Sequence, residues 1–439
     1  MGRFSRKKGL IILAAIVLPV IAGILYYEHQ SFYEIPKTRL GLNESYTDMQ
    51  EDSFHHYMNF PIDYNDSLKG QFRGFYLLSP GFYKSKNITF LLTDGQMELV
   101  GTKTDFGFFE NVLRGCSYVL IGVRGHSPTL FPEVYNNGKV DYKMATNLFN
   151  SDQQVEDIEQ VRLDLIKKGC LSKCDKINVF GASGAGVLAQ QYISRYGENV
   201  KRVILESTGA PDLARKSGTK YSPDFKDFNP KAAAVLDSVL KDRPSDKKAI
   251  CNILYQTGRT EKSPKDEQMR IVEQLRNGGS LLKYKFKPGT NISIMDYIIK
   301  PPGEIAARVR WFELVGYDLM SYDSQKETNL LYEISSVAVS DLLTYYKSNR
   351  IPAKEFNINR NNFQGEVLLL KGTEDVVFSD DINREIQKQY RNSRILFFKD
   401  GHRMQNDKEH YINIRNAFLN KGFSAEAFKK IKYPCVNPL

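Results

Sequence analysis

The sequence predicts an α/β protein, in which helices cover both faces of a mostly parallel sheet and a helical insertion separates two groups of strands. Three observations predict this fold class. From residue 71, short apolar segments alternate with amphipathic ones. The alternation stops near residue 208, where a polar, Lys-rich stretch begins, and it resumes near residue 363. Alternating strands and helices are typical of parallel sheets, because each pair of parallel strands needs a crossover connection.

The individual elements follow from the spacing of apolar residues. Short apolar runs predict buried strands at residues 72–78, 88–92, 117–123, 177–180, 203–205, 366–370 and 395–398. Apolar residues at helical spacing predict helices at residues 106–113, 151–168, 184–196, 381–390 and 408–419. The polar and aromatic residues 28–70 are predicted to be irregular or to form a membrane-proximal linker.

The chain has 439 residues, which exceeds the size at which one hydrophobic core stops growing. We therefore predict four segments. They are an N-terminal anchor (1–30), the first half of an α/β core (31–207), a helical cap inserted into that core (208–362), and the second half of the core (363–439).

The N-terminal anchor is predicted from residues 9–27, which carry no charge. Nineteen helical residues roughly match a hydrocarbon core of about 30 Å. A cleaved signal peptide is the alternative, with Val20-Ile21-Ala22 as its cleavage site. We favour an uncleaved single-pass helix, because cleavable apolar regions are usually shorter. In either case the basic N-terminus stays inside, and the rest of the chain lies on the periplasmic or extracellular side.

Charge and metal-ligand patterns argue against two classes of partner. The formal net charge is +10, of which four charges precede residue 9, and no later Lys/Arg block stands out. This pattern does not predict a nucleic-acid partner. The six histidines are scattered and the five cysteines form no CxxC pair, so the sequence predicts no metal site and no cofactor.

A serine follows the predicted strand at 177–180 and precedes a helix, in Gly181-Ala-Ser183-Gly-Ala-Gly186. Small residues around a serine at a strand-to-helix turn are typical of a nucleophile elbow. The helix N-terminus would stabilise negative charge near Ser183, and the Gly184 N–H is one candidate oxyanion donor. A dinucleotide-binding glycine turn is the alternative. It fits poorly, because the glycines have the wrong order and several strands precede this one.

An acid and a histidine follow two later strands. Asp375 comes after the strand at 366–370, and His402 comes after the strand at 395–398. Carboxyl ends of parallel strands form the active edge of such sheets, and the order Ser183, Asp375, His402 is that of α/β hydrolases. We expect His402 to take the serine proton and Asp375 to orient the imidazole. Glu374 is the alternative acid, and His126 and His410 are the alternative bases.

The second oxyanion donor is predicted in the loop after the strand at 88–92, at Gly95 or Gln96. An ordinary Asp-Gly turn is the alternative interpretation of this loop.

These features resemble α/β-hydrolase serine peptidases of the proline iminopeptidase and tripeptidyl aminopeptidase type. The resemblance covers about residues 70–205 and 365–420. It is carried by FLLTDG at 90–95, Val123-Arg-Gly-His-Ser127, DQQVEDIEQVR at 152–162, the Ser183 elbow, and the segments that end in Asp375 and His402. The chain departs from the family in three places. The oxyanion loop keeps one glycine and lacks a proline, Gly122 replaces an aspartate, and Ala185 replaces a glycine.

The resemblance implies a helical cap whose acidic residues hold the free amine of a peptide. Glu313, in Trp311-Phe-Glu313, resembles such a residue, and Glu304 is a second candidate. A solvated or core helix face is the alternative for both. The expected function is an exported, membrane-anchored serine hydrolase, and most closely an aminopeptidase-like enzyme on short peptides. An esterase or lipase with the same triad is one alternative. A catalytically silent binding protein on the same scaffold is the other.

Overall fold

The computed structural model describes residues 37–285 except Lys86 and Asn137, residues 300–430, and part of residues 14–35. Eight strands form one sheet: β1 (His55–Pro61), β2 (Gln71–Leu78), β3 (Ile88–Leu92), β4 (Ser117–Ile121), β7 (Ile177–Ala182), β8 (Val200–Glu206), β9 (Glu366–Gly372) and β10 (Ser393–Phe398). Two short strands, β5 (Tyr135–Asn136) and β6 (Lys139–Val140), pair separately.

The strand order of the large sheet is β1-β2-β4-β3-β7-β8-β9-β10. Strand β2 pairs antiparallel with both of its neighbours, and the remaining pairs are parallel. Strands β7, β8, β9 and β10 therefore all end at the same edge of the sheet. The residues that follow each of these strands therefore lie at this edge.

The helices outside the insertion cover the two faces of the sheet. They are α1 (Gly107–Leu113), α2 (Tyr142–Leu148), α3 (Ser151–Lys167), α4 (Gly184–Tyr196), α14 (Asp380–Gln389), α15 (Lys408–Lys421) and α16 (Glu426–Lys430). Because side chains alternate along a strand, Val179 joins the core beneath α3 and α4, whereas Phe180 joins the core beneath α1 and α15. The sheet is thus buried on both faces, as the continuous apolar strands predict.

The chain between β8 and β9 is helical. It contains α5 (Pro211–Ser217), α6 (Phe225–Phe228), α7 (Pro230–Asp242), α8 (Lys247–Thr260), α9 (Pro264–Arg276), α10 (Leu282–Lys285), α11 (Ile305–Ser321), α12 (Leu330–Ala338) and α13 (Ser340–Asn349). In residues 207–285 and 300–365, which are the described part of this stretch, no strand occurs. Helix α11 lies over the carboxyl edge of the sheet, where Leu314 reaches Gly184.

The prediction that residues 28–70 are irregular is wrong for part of that segment. Residues 55–61 form β1, which pairs with the full length of β2. Strand β1 is at the edge of the sheet and most of its residues are only partly buried. An edge strand needs no continuous apolar run, so the polar segment gave no strand signal.

The predicted membrane anchor is described only in part, because residues 1–13, 16, 27, 28 and 30 lie outside the described residues. Residues 17–26 are helical. Among the described residues, none of the helices is both long enough and apolar enough to cross a bilayer.

Candidate active site

Ser183 occupies a strained turn between β7 and α4. Its backbone angles are φ 55° and ψ −128°, which few residues other than glycine adopt. A Cβ on Gly181 would overlap the Ala185 carbonyl group, and a Cβ on Gly186 would overlap Thr208. Gly181 is therefore required by the close approach of the backbone at Ala185, and Gly186 by the Thr208 side chain. Such strain is characteristic of functional sites, where surrounding contacts maintain it.

The last residue of β8 and a residue just after this strand hold the turn in place. The Ser183 N–H donates to the Glu206 carbonyl oxygen (2.9 Å), and Thr208 Oγ1 donates to the Ser183 carbonyl oxygen (2.6 Å). The N–H and the carbonyl group of Ser183 are thus both hydrogen bonded, and the side chain is the part of this residue that can interact with groups at the sheet edge.

The structure brings the three predicted residues together at this edge. Ser183 Oγ lies 3.1 Å from His402 Nε2, and His402 Nδ1 lies 2.9 Å from Asp375 Oδ1. An ionised carboxylate only accepts hydrogen bonds, so Nδ1 carries the proton and Nε2 is free to accept the serine proton. The side chain of Asp375 is fully buried and that of His402 is 5% exposed. This arrangement can activate Ser183 as a nucleophile.

The charge of Asp375 is maintained despite its burial. Burial alone would raise the pKa of this carboxyl, but the Lys371 ammonium, the His402 imidazole and the Val377 N–H lower it to about 2. Because this pKa lies below the ordinary value of 3.8, the ionised group stabilises the fold above about pH 4. That contribution is lost as the pH falls towards 2.

The alternative residues occupy other positions. Glu374 is partly exposed, and its N–H donates to the Asp400 carbonyl oxygen. His410 is an exposed residue of α15 that packs against Phe398. His126 Nε2 donates to the Gly95 carbonyl oxygen (3.0 Å), so its imidazole supports the loop after β3. The hydrogen bonds of the triad go to Asp375 and His402, which were the favoured residues.

The three oxyanion candidates differ in how their N–H groups are used. Gly184 is the first residue of α4, so its N–H has no partner inside the helix. Gly95 has φ +84°, a conformation that requires glycine in practice. The Gln96 N–H already donates to Asp94 Oδ1 (3.1 Å). The Gly184 N–H is therefore a candidate donor, and because the Gln96 N–H is already bonded, Gly95 is left as the other candidate in this loop.

Asp94 is a site residue that the sequence analysis treated only as part of a turn. A Cβ on Gly184 would overlap both Asp94 Oδ2 and Gln96 Nε2, so these two side chains lie directly against the nucleophile turn. They also hydrogen bond to each other. The available signal was the acidic residue itself, in a loop that the resembled family fills with glycine and proline.

Glu313 lies in a buried ionic network between α11 and the core. Its carboxylate accepts from the Ser151 N–H (2.9 Å), from Lys354 Nζ (2.7 Å) and from Arg310. Its charge is therefore already compensated, and none of the triad residues is among these partners. Burial lowers the pKa of Lys354 to about 8. Glu304 is exposed at the start of α11.

Lys371 is a second residue that the sequence analysis passed over. It ends the apolar run of β9, its side chain is fully buried, and its Nζ lies 3.2 Å from Asp375 Oδ2.

A metal site was not predicted from the sequence. The described residues contain no group of three or more His, Cys, Asp or Glu side chains placed to hold an ion.

Comparisons with known proteins give structural neighbours only. No protein-family model matches the sequence, and no curated protein matches it. An esterase from Exiguobacterium antarcticum is similar, with 15% identity, a TM-score of 0.38, and coverage of 79% of this chain and 96% of its own. So is a bromoperoxidase from Bacillus anthracis, with 11% identity, a TM-score of 0.39, and coverage of 83% and 100%. An enol-lactonase from Burkholderia xenovorans LB400 has 12% identity, a TM-score of 0.38, and coverage of 80% and 97%.

The chain has the α/β-hydrolase fold. This assignment rests on the protein's own topology rather than on those alignments. The antiparallel β2, the serine turn after β7, and the acid and histidine after β9 and β10 together define it.

Proposed function

We propose that this protein is a serine hydrolase that works through an acyl-enzyme intermediate on Ser183. The observation that carries the proposal is the continuous hydrogen-bond chain from Ser183 Oγ through His402 to Asp375. A serine hydroxyl is a weak nucleophile at neutral pH, and an adjacent oriented base is what activates it. The strained turn presents the hydroxyl to that base.

The proposed reaction uses these groups in sequence. His402 Nε2 accepts the proton of Ser183 Oγ while the oxygen attacks the substrate carbonyl carbon. The developing oxyanion is stabilised by the N–H groups of Gly184 and Gly95. His402 then protonates the leaving amine or alcohol, and an acyl-serine remains. A water molecule, deprotonated by His402, hydrolyses that ester and restores Ser183. Asp375 stabilises the imidazolium in both halves.

An aminopeptidase-like specificity is the finer proposal, and Asp94 supports it. In a peptide cleaved after its first residue, the α-ammonium group is bonded to the carbon next to the scissile carbonyl. A carboxylate against Gly184 lies close to that position. Asp94 is therefore a better candidate than Glu313 to bind the amine, because Glu313 is already paired with Arg310 and Lys354.

An esterase is the second candidate, and the apolar groups near the triad favour it. Leu314 Cδ1 lies against Gly184, and the ring of Phe378 lies 5.8 Å from that of His402. Such walls suit an uncharged acyl chain. One feature favours a silent binding protein. The Gln96 N–H donates to Asp94 and so cannot also donate to an oxyanion.

The location of the protein is also a proposal. The uncharged residues 9–27 and the four basic residues before them support an N-terminal anchor with the hydrolase domain outside the cytoplasm. Retention of the full chain in membranes after alkaline carbonate extraction, with protease access from the outer side, would support this proposal. Release of a shortened chain would favour a cleaved signal peptide.

Covalent labelling of the full-length protein with a fluorophosphonate probe tests the proposed function. We expect labelling of the wild-type protein and none of Ser183→Ala. Ser207→Ala is the matched control, since Ser207 follows the adjacent strand β8, is buried, and also has a positive φ of 43°. Labelling should persist in this control. If well-folded wild-type protein remains unlabelled, Ser183 is not an activated nucleophile, and the hypothesis of a catalytically silent binding protein would be favoured.

The role of Asp94 gives a separate prediction. Asp94→Asn keeps the shape of the side chain and removes its charge. Loss of a hydrogen bond between charged groups costs about 1.5–3 kcal/mol, so kcat/KM for aminoacyl arylamides should fall roughly 10- to 100-fold. The same substrates with an acetylated amine should be little affected. Glu98→Gln, an exposed neighbour, serves as the charge-matched control. An equal fall on both substrate series would contradict amine binding by Asp94.

A further inference from the structure

Lys371 is a fully buried cation that touches the acid of the triad. Its Nζ donates to the Gly372 carbonyl oxygen (2.8 Å) and lies 3.2 Å from Asp375 Oδ2 and 3.3 Å from Asp380 Oδ1. A buried ammonium group is costly unless it is paired, so this position is occupied only because the two carboxylates compensate it. The mechanism proposed above does not use it.

The two oxygens of Asp375 have different partners. Oδ1 accepts from His402 Nδ1 (2.9 Å) and from the Val377 N–H (2.8 Å), whereas Oδ2 faces Lys371. One carboxylate therefore interacts with two cations whenever His402 is protonated. The positive charge of Lys371 opposes that protonation through space, since like charges a few ångströms apart disfavour each other.

Two further cations lie nearby, namely Arg403, the exposed residue after His402, and Arg259 of α8, which interact with each other. Other charged groups near the pair are compensated or neutral. On α14, Asp380 is the second carboxylate of Lys371, and its side chain is 40% exposed. Next to β9, Glu206 on β8 is paired with Arg415 (2.7 Å), and Asp400 after β10 accepts from Tyr411 (2.8 Å). From α8, the buried Tyr255 interacts with Asp375, and burial raises the pKa of its phenol, so that it stays neutral.

We propose that Lys371 is a positioning residue for the hydrolysis proposed above. Its ammonium group holds Asp375 ionised and draws part of the carboxylate charge away from His402. As a result, His402 remains neutral, and able to accept the Ser183 proton, at a more acidic pH than the same triad would allow without the lysine. The inference rests on the proposed function and adds to it the pH range in which the site works.

The low pKa of Asp375, about 2, agrees with this role, because Lys371 is the largest of the influences that lower it. The position of Lys371 agrees as well. It is the next-to-last residue of β9, where the backbone is fixed by pairing with Phe397 of the edge strand β10, and its side chain is fully buried.

The rate of fluorophosphonate labelling of the full-length protein, measured from pH 4 to pH 9, tests this proposal without knowledge of the substrate. Labelling requires neutral His402, so the midpoint of its acidic limb reports the proton affinity of that residue. Lys371→Met removes the cation and should raise the midpoint by about one pH unit. Asp380→Asn removes the competing carboxylate, strengthens the effect of Lys371 on the triad, and should lower the midpoint.

Asp381→Asn is the matched control. Asp381 is the exposed residue after Asp380 in the first turn of α14, so this variant makes the same charge change away from Lys371. Its midpoint should stay within a few tenths of a unit of wild type. If Lys371→Met does not fold, the downward shift in Asp380→Asn still decides the matter.

Two outcomes separate this inference from the function on which it rests. Wild-type protein that is never labelled would remove the proposed function itself. Labelling of wild type with the same midpoint in Lys371→Met and Asp380→Asn would overturn only the role of Lys371. A lower labelling rate at every pH, with an unchanged midpoint, would show that the lysine serves the fold alone.

Discussion

Replacing Asp375 by asparagine is expected to lower kcat by about 10⁴-fold, the loss typical of triads that lose their acid without losing shape. An amide NH₂ can donate to His402 Nδ1, which would place the imidazole proton on Nε2. That nitrogen could then no longer accept from Ser183 Oγ, although it lies 3.1 Å away. The measurement is steady-state hydrolysis of an activated ester, together with the rate of fluorophosphonate labelling.

This variant also removes one of the two carboxylates of Lys371, so its stability must be measured alongside its activity. Asp380 remains as a counter-ion, and we expect a folded but less stable protein. Asp381→Asn provides the control for a change of one exposed charge nearby, with wild-type kcat expected. A folded Asp375→Asn protein that retains more than a tenth of wild-type activity would argue that another acid orients His402.

The second large effect concerns stability and the buried pair Arg124–Asp157. Arg124 donates to both carboxylate oxygens of Asp157 (2.6 and 2.7 Å), and the two side chains are 1% and 4% exposed. It also donates to the carbonyl oxygens of Pro61, Ile62 and Leu148. The guanidinium group thus connects the end of β1, the loop after β4, and α3.

Arg124→Met keeps most of the volume of the side chain but leaves three carbonyl groups without this donor and Asp157 without its counter-ion, although the Tyr64 hydroxyl still donates to Asp157 Oδ1 (2.9 Å). Breaking a buried pair in this way typically costs about 3–5 kcal/mol in the free energy of unfolding. Urea unfolding should show this loss. Arg195→Met is the control, because the Arg195 side chain is 43% exposed in its pairs with Asp152 and Glu156, and such pairs contribute about 0–1 kcal/mol. Similar losses in both variants would contradict the assignment.

The core strands and the order of the candidate triad were predictable because both depend on local signals. Apolar runs predicted β7, β9 and β10, and the residues that follow these strands gave Ser183, Asp375 and His402 as candidates. Strand β1 was not predictable in this way, since an edge strand is recognised by its pairing with β2 rather than by its own composition.

Asp94 and Lys371 were missed for a different reason. Each is an ordinary charged residue in the sequence, and only the meeting of distant segments gives it a role: Asp94 with Gly184, and Lys371 with α14. Glu313 shows the converse. Its sequence context suggested an amine-binding residue, but Lys354, 41 positions later, compensates its charge. Charged side chains are assigned reliably only when their partners are known.

Because α11 contacts the core at the candidate active site, residues from two parts of the chain, the sheet loops and the inserted helices, lie around the nucleophile. The acid, the base and the nucleophile all come from loops of the sheet. Arg310, which donates to the Asp94 carbonyl oxygen (2.8 Å), and Leu314, which lies on Gly184, come from the inserted helices. A lineage could therefore exchange its inserted helices and acquire new substrates while it keeps the same chemistry. Homologues should then vary most in the insertion and least at the strand ends.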